Sequence, residues 1–192
     1  MVSNIIRTMM CQMLIRMFIS IDVPITDEIS SLLKTLRDIK GIRVPPEGQI
    51  HLTLKFLGDT DEKKVTKLCA SIREALSDSS SFDVNISGLG AFPNERNPRV
   101  LWMGVKEPEE LIGLADVVDE TVRSLNLRCD DKKFSPHITV GRIDGRPDLK
   151  DIFKENKGKG FCSFRCSSVK VMKSELTPKG AIHSVIDSID LE

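Results

Sequence analysis

Two short stretches of this chain carry the same pattern. Ile50-His51-Leu52-Thr53-Leu54-Lys55-Phe56-Leu57-Gly58 and Pro136-His137-Ile138-Thr139-Val140-Gly141-Arg142 both read His, apolar, Thr, apolar. The chain has only three histidines, and two sit in this pattern. Side chains of a strand alternate between its two faces. Each stretch therefore predicts a half-buried strand. Leu52 and Leu54, or Ile138 and Val140, would anchor it in a core. His51 with Thr53, and His137 with Thr139, would share the other face. A lone His-x-Thr is usually just a half-exposed face. Two of them in one chain form a constellation.

The surrounding order repeats as well. Met17 to Val23 is β-branched and aromatic, and Pro24 stops it, which predicts a strand. Thr26 or Asp27 is placed to cap a helix with apolar residues at 29, 32, 33, 36 and 39, ended by Gly41. The first motif strand follows and is expected to end at Gly58. Asp59 with Glu62 resembles a capping box for a helix bearing Val65, Leu68, Ile72 and Leu76. Phe82 to Phe92 alternates as a strand. After the polar turn at 94–98, the series begins again. Arg99 to Val105 is a strand, Pro108 suits the first turn of a helix, and the second motif strand comes next. A short helix from 148 to 156, a strand from Phe161 to Met172 and a last strand from Ile182 to Ile189 complete the chain. His51 and His137 lie 86 residues apart. An internal duplication explains this economically. The expected fold is α+β and bilobed, with duplicated βαβαβ-type halves related by pseudo-two-fold symmetry around a central cleft. The repeat units would be roughly 17–93 and 99–172, interleaved within a single domain over 13–192, with 1–12 as an extension outside it.

Composition excludes more than it selects. The 192 residues suffice for one domain or two small lobes. Lys plus Arg equals Asp plus Glu at 28 each, so nothing global marks a nucleic-acid binder. Any such partner would be held by a local cluster. Five scattered cysteines without a CxxC favour free thiols in a reducing cytoplasm. Apolar runs in the first 17 residues are interrupted by Arg7 and Arg16 and are too short to span a bilayer. No Gly-rich nucleotide fingerprint follows a strand. No Cys or carboxylate stands at metal spacing beside either motif histidine, so neither metal nor cofactor is expected.

Two imidazoles facing across a cleft suit concerted acid–base work. Histidine titrates near pH ~6.5, so one ring can be neutral while the other is protonated. The neutral ring takes a proton from an attacking hydroxyl, and the protonated ring gives one to a leaving oxygen. Phosphoryl transfer fits, because entering and leaving oxygens lie roughly in line across phosphorus. The threonine hydroxyls are placed to donate to non-bridging oxygens.

The two HxTx motifs resemble the paired signatures of the two-histidine phosphoesterase superfamily. Phe56-Leu57-Gly58 after the first motif, Phe134-Ser135-Pro136 before the second and Gly141-Arg142 after it narrow the likeness. So do Ala91-Phe92-Pro93 and Pro98-Arg99-Val100-Leu101-Trp102. Together they resemble the RNA 2′,3′-cyclic phosphodiesterase branch, historically called 2′-5′ RNA ligases. The resemblance implies metal-independent hydrolysis of 2′,3′-cyclic phosphates at RNA ends, or of small cyclic nucleotides, to 2′-phosphomonoesters, with reversible 2′-5′ ligation as its reverse chemistry. It implies His51 as proton donor and His137 as proton acceptor, aided by Thr53 and Thr139. It also suggests Phe56 as a base-stacking aromatic and Arg142 as a phosphate ligand. Both stand five residues after a motif histidine, and strict alternation would turn them away from the cleft; a bulge or strand end near Gly141 would re-aim Arg142. Lys55 has the right parity to face the cleft and add positive charge. His183 has no matching Thr and reads as structural or surface. Arg99 and Trp102 read as inter-lobe packing. A monomer without membrane attachment is expected. The competing reading is a non-catalytic module that binds RNA ends or nucleotides in the same cleft.

Overall fold

The computed structural model describes residues 13–127, 129, 132–178 and 180–192, so the expected extension at 1–12 lies outside the described residues. Nine strands, four α-helices and two short 3-10 turns are found among them. In chain order the strands and α-helices are β1 (Leu14–Asp22), α1 (Asp27–Arg37), β2 (Ile42–Arg43), β3 (His51–Asp61), α2 (Val65–Ala75), β4 (Phe82–Phe92), β5 (Val100–Lys106), α3 (Glu109–Ser124), β6 (His137–Ile143), α4 (Lys150–Asn156), β7 (Gly160–Cys166), β8 (Ser168–Thr177) and β9 (Gly180–Asp190).

The strands form two antiparallel sheets, ordered β3-β1-β8-β9 and β2-β6-β5-β4-β7. The order shows the duplication. β1 carries the first motif strand on one side, and β5 carries the second in the same way. Each half also lends a strand to the other sheet: β4 pairs with β5, and β8 pairs with β1. α2 and α3 lie against the first sheet, and α1 and α4 against the second. The α+β duplicated architecture follows from this exchange, since neither half buries its apolar faces alone.

Local chemistry places the elements. Thr26 caps α1, accepting from the Ile29 N–H at 3.4 Å, and its hydroxyl donates to the Phe161 carbonyl at 2.8 Å. Ile29, Leu32, Leu33 and Leu36 then form the buried stripe of that helix. Leu111, Leu114, Ala115, Val118 and Val122 do the same for α3. Leu52, Leu54, Ile138 and Val140 are all buried in the core they were expected to anchor.

Three details differ from the sequence reading. β3 does not end at Gly58 but runs to Asp61, and the side chain that turns the chain is Asp61, accepting from the Lys63 N–H at 3.1 Å, not Asp59. The two-residue β2, paired with β6, carried too little pattern to be read. The stretch from Phe161 to Met172 is two strands. Cys166 pairs with Phe82 in one sheet and Ser168 with Asp190 in the other, so the chain changes sheets at Ser167. Alternation continues across the break, which hides it from the sequence.

Candidate active site

The two motif strands are in contact where the two sheets meet. On both, the histidine and its threonine are half-buried while the intervening apolar residues are buried. Each histidine is locked by the same device. The His51 Nδ1–H donates to the Gln49 carbonyl at 2.7 Å, and the His137 Nδ1–H donates to the Ser135 carbonyl at 2.6 Å. A carbonyl can only accept, so it fixes the proton on Nδ1 and leaves Nε2 as the exchanging atom of each ring.

The puzzle of the odd spacing is resolved by two matched bulges. Ser20 pairs with Thr53 and Ile19 with Lys55, so Leu54 is an extra residue in β3. Trp102 pairs with Thr139 and Leu101 with Gly141, so Val140 is an extra residue in β6. Both bulges fall on the last residue of the motif. Each inverts the alternation after it. Phe56 and Arg142 are thereby turned onto the faces that carry His51 and His137. Phe56 is half-buried with the Arg16 guanidinium 4.7 Å from its ring centre. Arg142 is exposed, and among the described residues its side chain has no hydrogen-bond or ion-pair partner.

The same bulge corrects the reading of Lys55. Without it, Lys55 would face the cleft. With it, Lys55 turns inward, is 6% exposed and sets its ammonium 2.5 Å from Asp119 of α3. Asp119 also accepts from Arg123 at 2.7 Å. Burial opposes the charge on Asp119, but Arg123 and Lys55 outweigh it and hold the carboxyl below its ordinary range. Lys55 ties the back of the motif strand to a helix and does not add charge to the cleft.

His183 is the residue the sequence did not mark. It stands in β9 across from Ser174, yet its ring meets those of His51 and Phe18 edge-on, with centres 5.2 and 4.9 Å away. Phe18 in turn stacks on His51 at 4.8 Å. A strand outside the motif pair thus supplies a wall of the His51 site. Only the sheet order could reveal that, because β8 and β9 attach to β1 from the far end of the chain. Burial lowers the pKa of His51 from its ordinary value, while the Gln49 carbonyl and the Asp22 carboxylate partly restore it. Burial and the neighbouring His51 lower that of His183. Asp22 is the cross-strand neighbour of His51 and forms an ion pair with Lys170. On the other side, Phe92 meets His137 edge-on at 5.0 Å and Trp102 at 5.4 Å. A cavity of about 690 Å³ opens beside His51, lined among others by Asp22, Glu47, Arg165, Lys170 and His183. Among the described residues, no group of three or more His, Cys, Asp or Glu is arranged to hold a metal ion. No helix among them is long and apolar enough to cross a membrane.

Duplicated α+β halves that each bring one HxTx strand to a common seam define a phosphoesterase of the two-histidine class. Known proteins specify the branch. The profile described as LigT-like phosphoesterase matches residues 19–102 and 104–183, one motif in each stretch, and the chain belongs to that family. A protein of Archaeoglobus fulgidus named RNA 2',3'-cyclic phosphodiesterase is 37% identical over 88% of this chain and 96% of its own length. One of the same name from Methanothermobacter thermautotrophicus is 35% identical over 90% and 96%. The crystal structure of TT0787 from Thermus thermophilus superposes with a TM-score of 0.77 at 27% identity, covering 92% of this chain and 97% of that one. That of E. coli LigT complexed with 3'-AMP shares the fold, with a TM-score of 0.70 at 19% identity over 93% of this chain and 99% of that one.

Proposed function

We propose that this protein hydrolyses 2′,3′-cyclic phosphates at RNA ends to 2′-phosphomonoesters. The observation that carries the reading is the duplicated lock. Two HxTx strands meet at the seam of the sheets, and each histidine has its Nδ1 committed to a backbone carbonyl, which leaves Nε2 for proton exchange. The relatives named as RNA 2',3'-cyclic phosphodiesterases support the substrate class.

In this mechanism a water attacks phosphorus while its proton passes to Nε2 of His137. The new O–P bond forms opposite the 3′ oxygen, the P–O3′ bond breaks, and His51 gives its Nε2 proton to the departing O3′. Thr53 and Thr139 donate to the non-bridging oxygens, and Arg142 meets the developing charge. Phe56 offers a face to a base. An RNA 5′-hydroxyl in place of water gives 2′-5′ ligation with the same proton transfers. Burial disfavours the protonated His51 ring, and the Gln49 carbonyl and the cross-strand Asp22 carboxylate partly offset that. The free thiols of Cys69, Cys129, Cys162 and Cys166 fit a reducing, cytoplasmic setting.

The test is a panel of cyclic-phosphate-ended RNAs and cyclic mononucleotides, with the position of the product phosphate determined. The expected product is the 2′-phosphate, formed equally well with EDTA present. His51→Ala and His137→Ala should each lower the rate on the order of 10²–10⁴-fold. Turnover that requires added metal, or full activity in both variants, overturns the reading.

A further inference from the structure

Trp102 is the only tryptophan of the chain, and the sheet is built around it. It lies in β5 directly across from Thr139, with Gly104 across from His137 and Gly90 of β4 on its other side. A Cβ on Gly90 would stand 2.4 Å from both Cη2 and Cζ2 of the indole, and one on Gly104 would stand 3.3 Å from Cζ3. The six-membered ring therefore lies flat on bare backbone, which only glycine permits. The residue is half-buried, one ring face rests on the sheet, and its side chain shares a sheet face with its cross-strand partner Thr139 and with His137. Its Nε1–H is buried without an acceptor among the described residues. Phe92 touches both the indole and the His137 ring. All of this belongs to the His137 side; His51 has Ser20 and Asp22 at the corresponding places in β1.

We propose that Trp102 is a stacking platform for a second nucleobase, that of the nucleoside whose 5′ oxygen is bonded to phosphorus in a 2′-5′ linkage. This rests on the hydrolytic reading above. There His137 handles the entering oxygen, so whatever carries that oxygen sits over the second sheet. Water needs no platform, but a nucleoside does. In ligation the O5′–P bond forms and the P–O3′ bond breaks. The O5′ proton goes to His137 and the His51 proton to O3′. Cleavage of the 2′-5′ diester runs the same steps backward. Phe56 and Trp102 would then hold one base from each half of the duplication.

The test uses two substrates and the fluorescence of the sole tryptophan. Trp102→Leu should lower kcat/KM for cleaving adenylyl-(2′→5′)-adenosine by roughly 5- to 100-fold, the loss expected for one base–aromatic stack. Hydrolysis of 2′,3′-cyclic AMP should stay within about two-fold, and Trp102→Phe should fall between. In the wild type, the dinucleotide should quench Trp102 emission while 2′-AMP, which reaches only the phosphate and the first base, leaves most of it. Equal losses on both substrates, or equal quenching by both ligands, would overturn the proposal and leave Trp102 as packing. If the wild type does not turn over cyclic AMP, the hydrolytic reading fails, and the quenching comparison still decides whether the indole takes a base.

Discussion

Lys55 and Asp119 differ in what each leaves behind when removed, and that difference is measurable. The Lys55 side chain is 7% exposed and that of Asp119 is 32% exposed. Asp119→Ala removes the carboxylate that faces a buried ammonium. Breaking a buried pair from one side costs about 3–5 kcal/mol, and the partial exposure of Asp119 favours the lower end, about 3 kcal/mol. Lys55→Met removes the buried charge and keeps an apolar stem of similar length. Asp119 then retains Arg123 at 2.7 Å and its contact with water. The expected cost is about 1 kcal/mol or less. For a chain of this size each kcal/mol moves Tm by roughly 2–4 °C, so Asp119→Ala should melt roughly 6–12 °C lower and Lys55→Met within about 4 °C of wild type. Urea and thermal unfolding of both variants give the comparison. Kinetics give the second half of the test. Because the bulge at Leu54 turns Lys55 away from the cleft, Lys55→Met should leave KM within about two-fold, the scale of a residue that makes no substrate contact. A variant that melts normally but shows a KM higher by about ten-fold would refute the bulge and return Lys55 to the substrate side.

Further outcomes follow from the same geometry. A donor must be protonated, so kcat/KM should fall as pH rises through the His51 pKa; burial lowers that pKa, so the midpoint of this limb in the free enzyme should lie below ~6.5, and a limb centred above it would count against His51 as donor. Protonating half-buried His51 and His183 opposes folding, so their contribution to stability is present above pH ~6.5 and is lost as pH falls through their depressed values; urea midpoints at several pH values measure it. His183→Ala removes the ring edge that bounds His51 and should lower kcat several-fold with little change in KM, whereas a change confined to KM would place His183 on the substrate alone. Gly90→Ala drives a methyl into the indole and should cost about 1–3 kcal/mol with a shift in tryptophan emission; an unchanged melt and spectrum would contradict the flat ring.

Much of this was legible because the duplication doubled every signal. The order of elements, the apolar stripes of the helices and the buried partners Leu52, Leu54, Ile138 and Val140 follow from periodicity alone. What escaped was whatever depends on one residue of register. Counting by twos put Lys55 in the cleft and Phe56 and Arg142 outside it. The bulges at Leu54 and Val140 reverse all three, and a bulge leaves no period in a sequence. Gly141 offered a hint, since a residue there would crowd Ile42, 3.1 Å from its would-be Cβ. His183 escaped for another reason. Its role comes from sheet order, through β8 pairing with β1, and no local pattern encodes a partner 132 positions away along the chain.

The proposed chemistry asks different things of the two repeats. Proton transfer in opposite directions needs one ring charged and the other neutral, so the differences between the two settings matter. The repeats share what aims a histidine: the Nδ1 lock to the carbonyl two residues back, the threonine beside it and the bulge after it. They differ in what surrounds it. His51 has Phe18 on its face, His183 at its edge and the Asp22 carboxylate across the strand. His137 has Phe92 at its edge and bare Gly104 across the strand, with an indole paving the floor. Behind the first bulge stands an ion pair, and behind the second a glycine. The shared half sets position, and the diverged half gives the two rings different surroundings, a carboxylate beside His51 and aromatic rings beside His137. Removing that carboxylate is therefore the sharpest probe of the division. Asp22→Asn should lower the His51 pKa further and draw the basic limb of the pH profile to lower pH, and an unmoved limb would count against His51 as the donor.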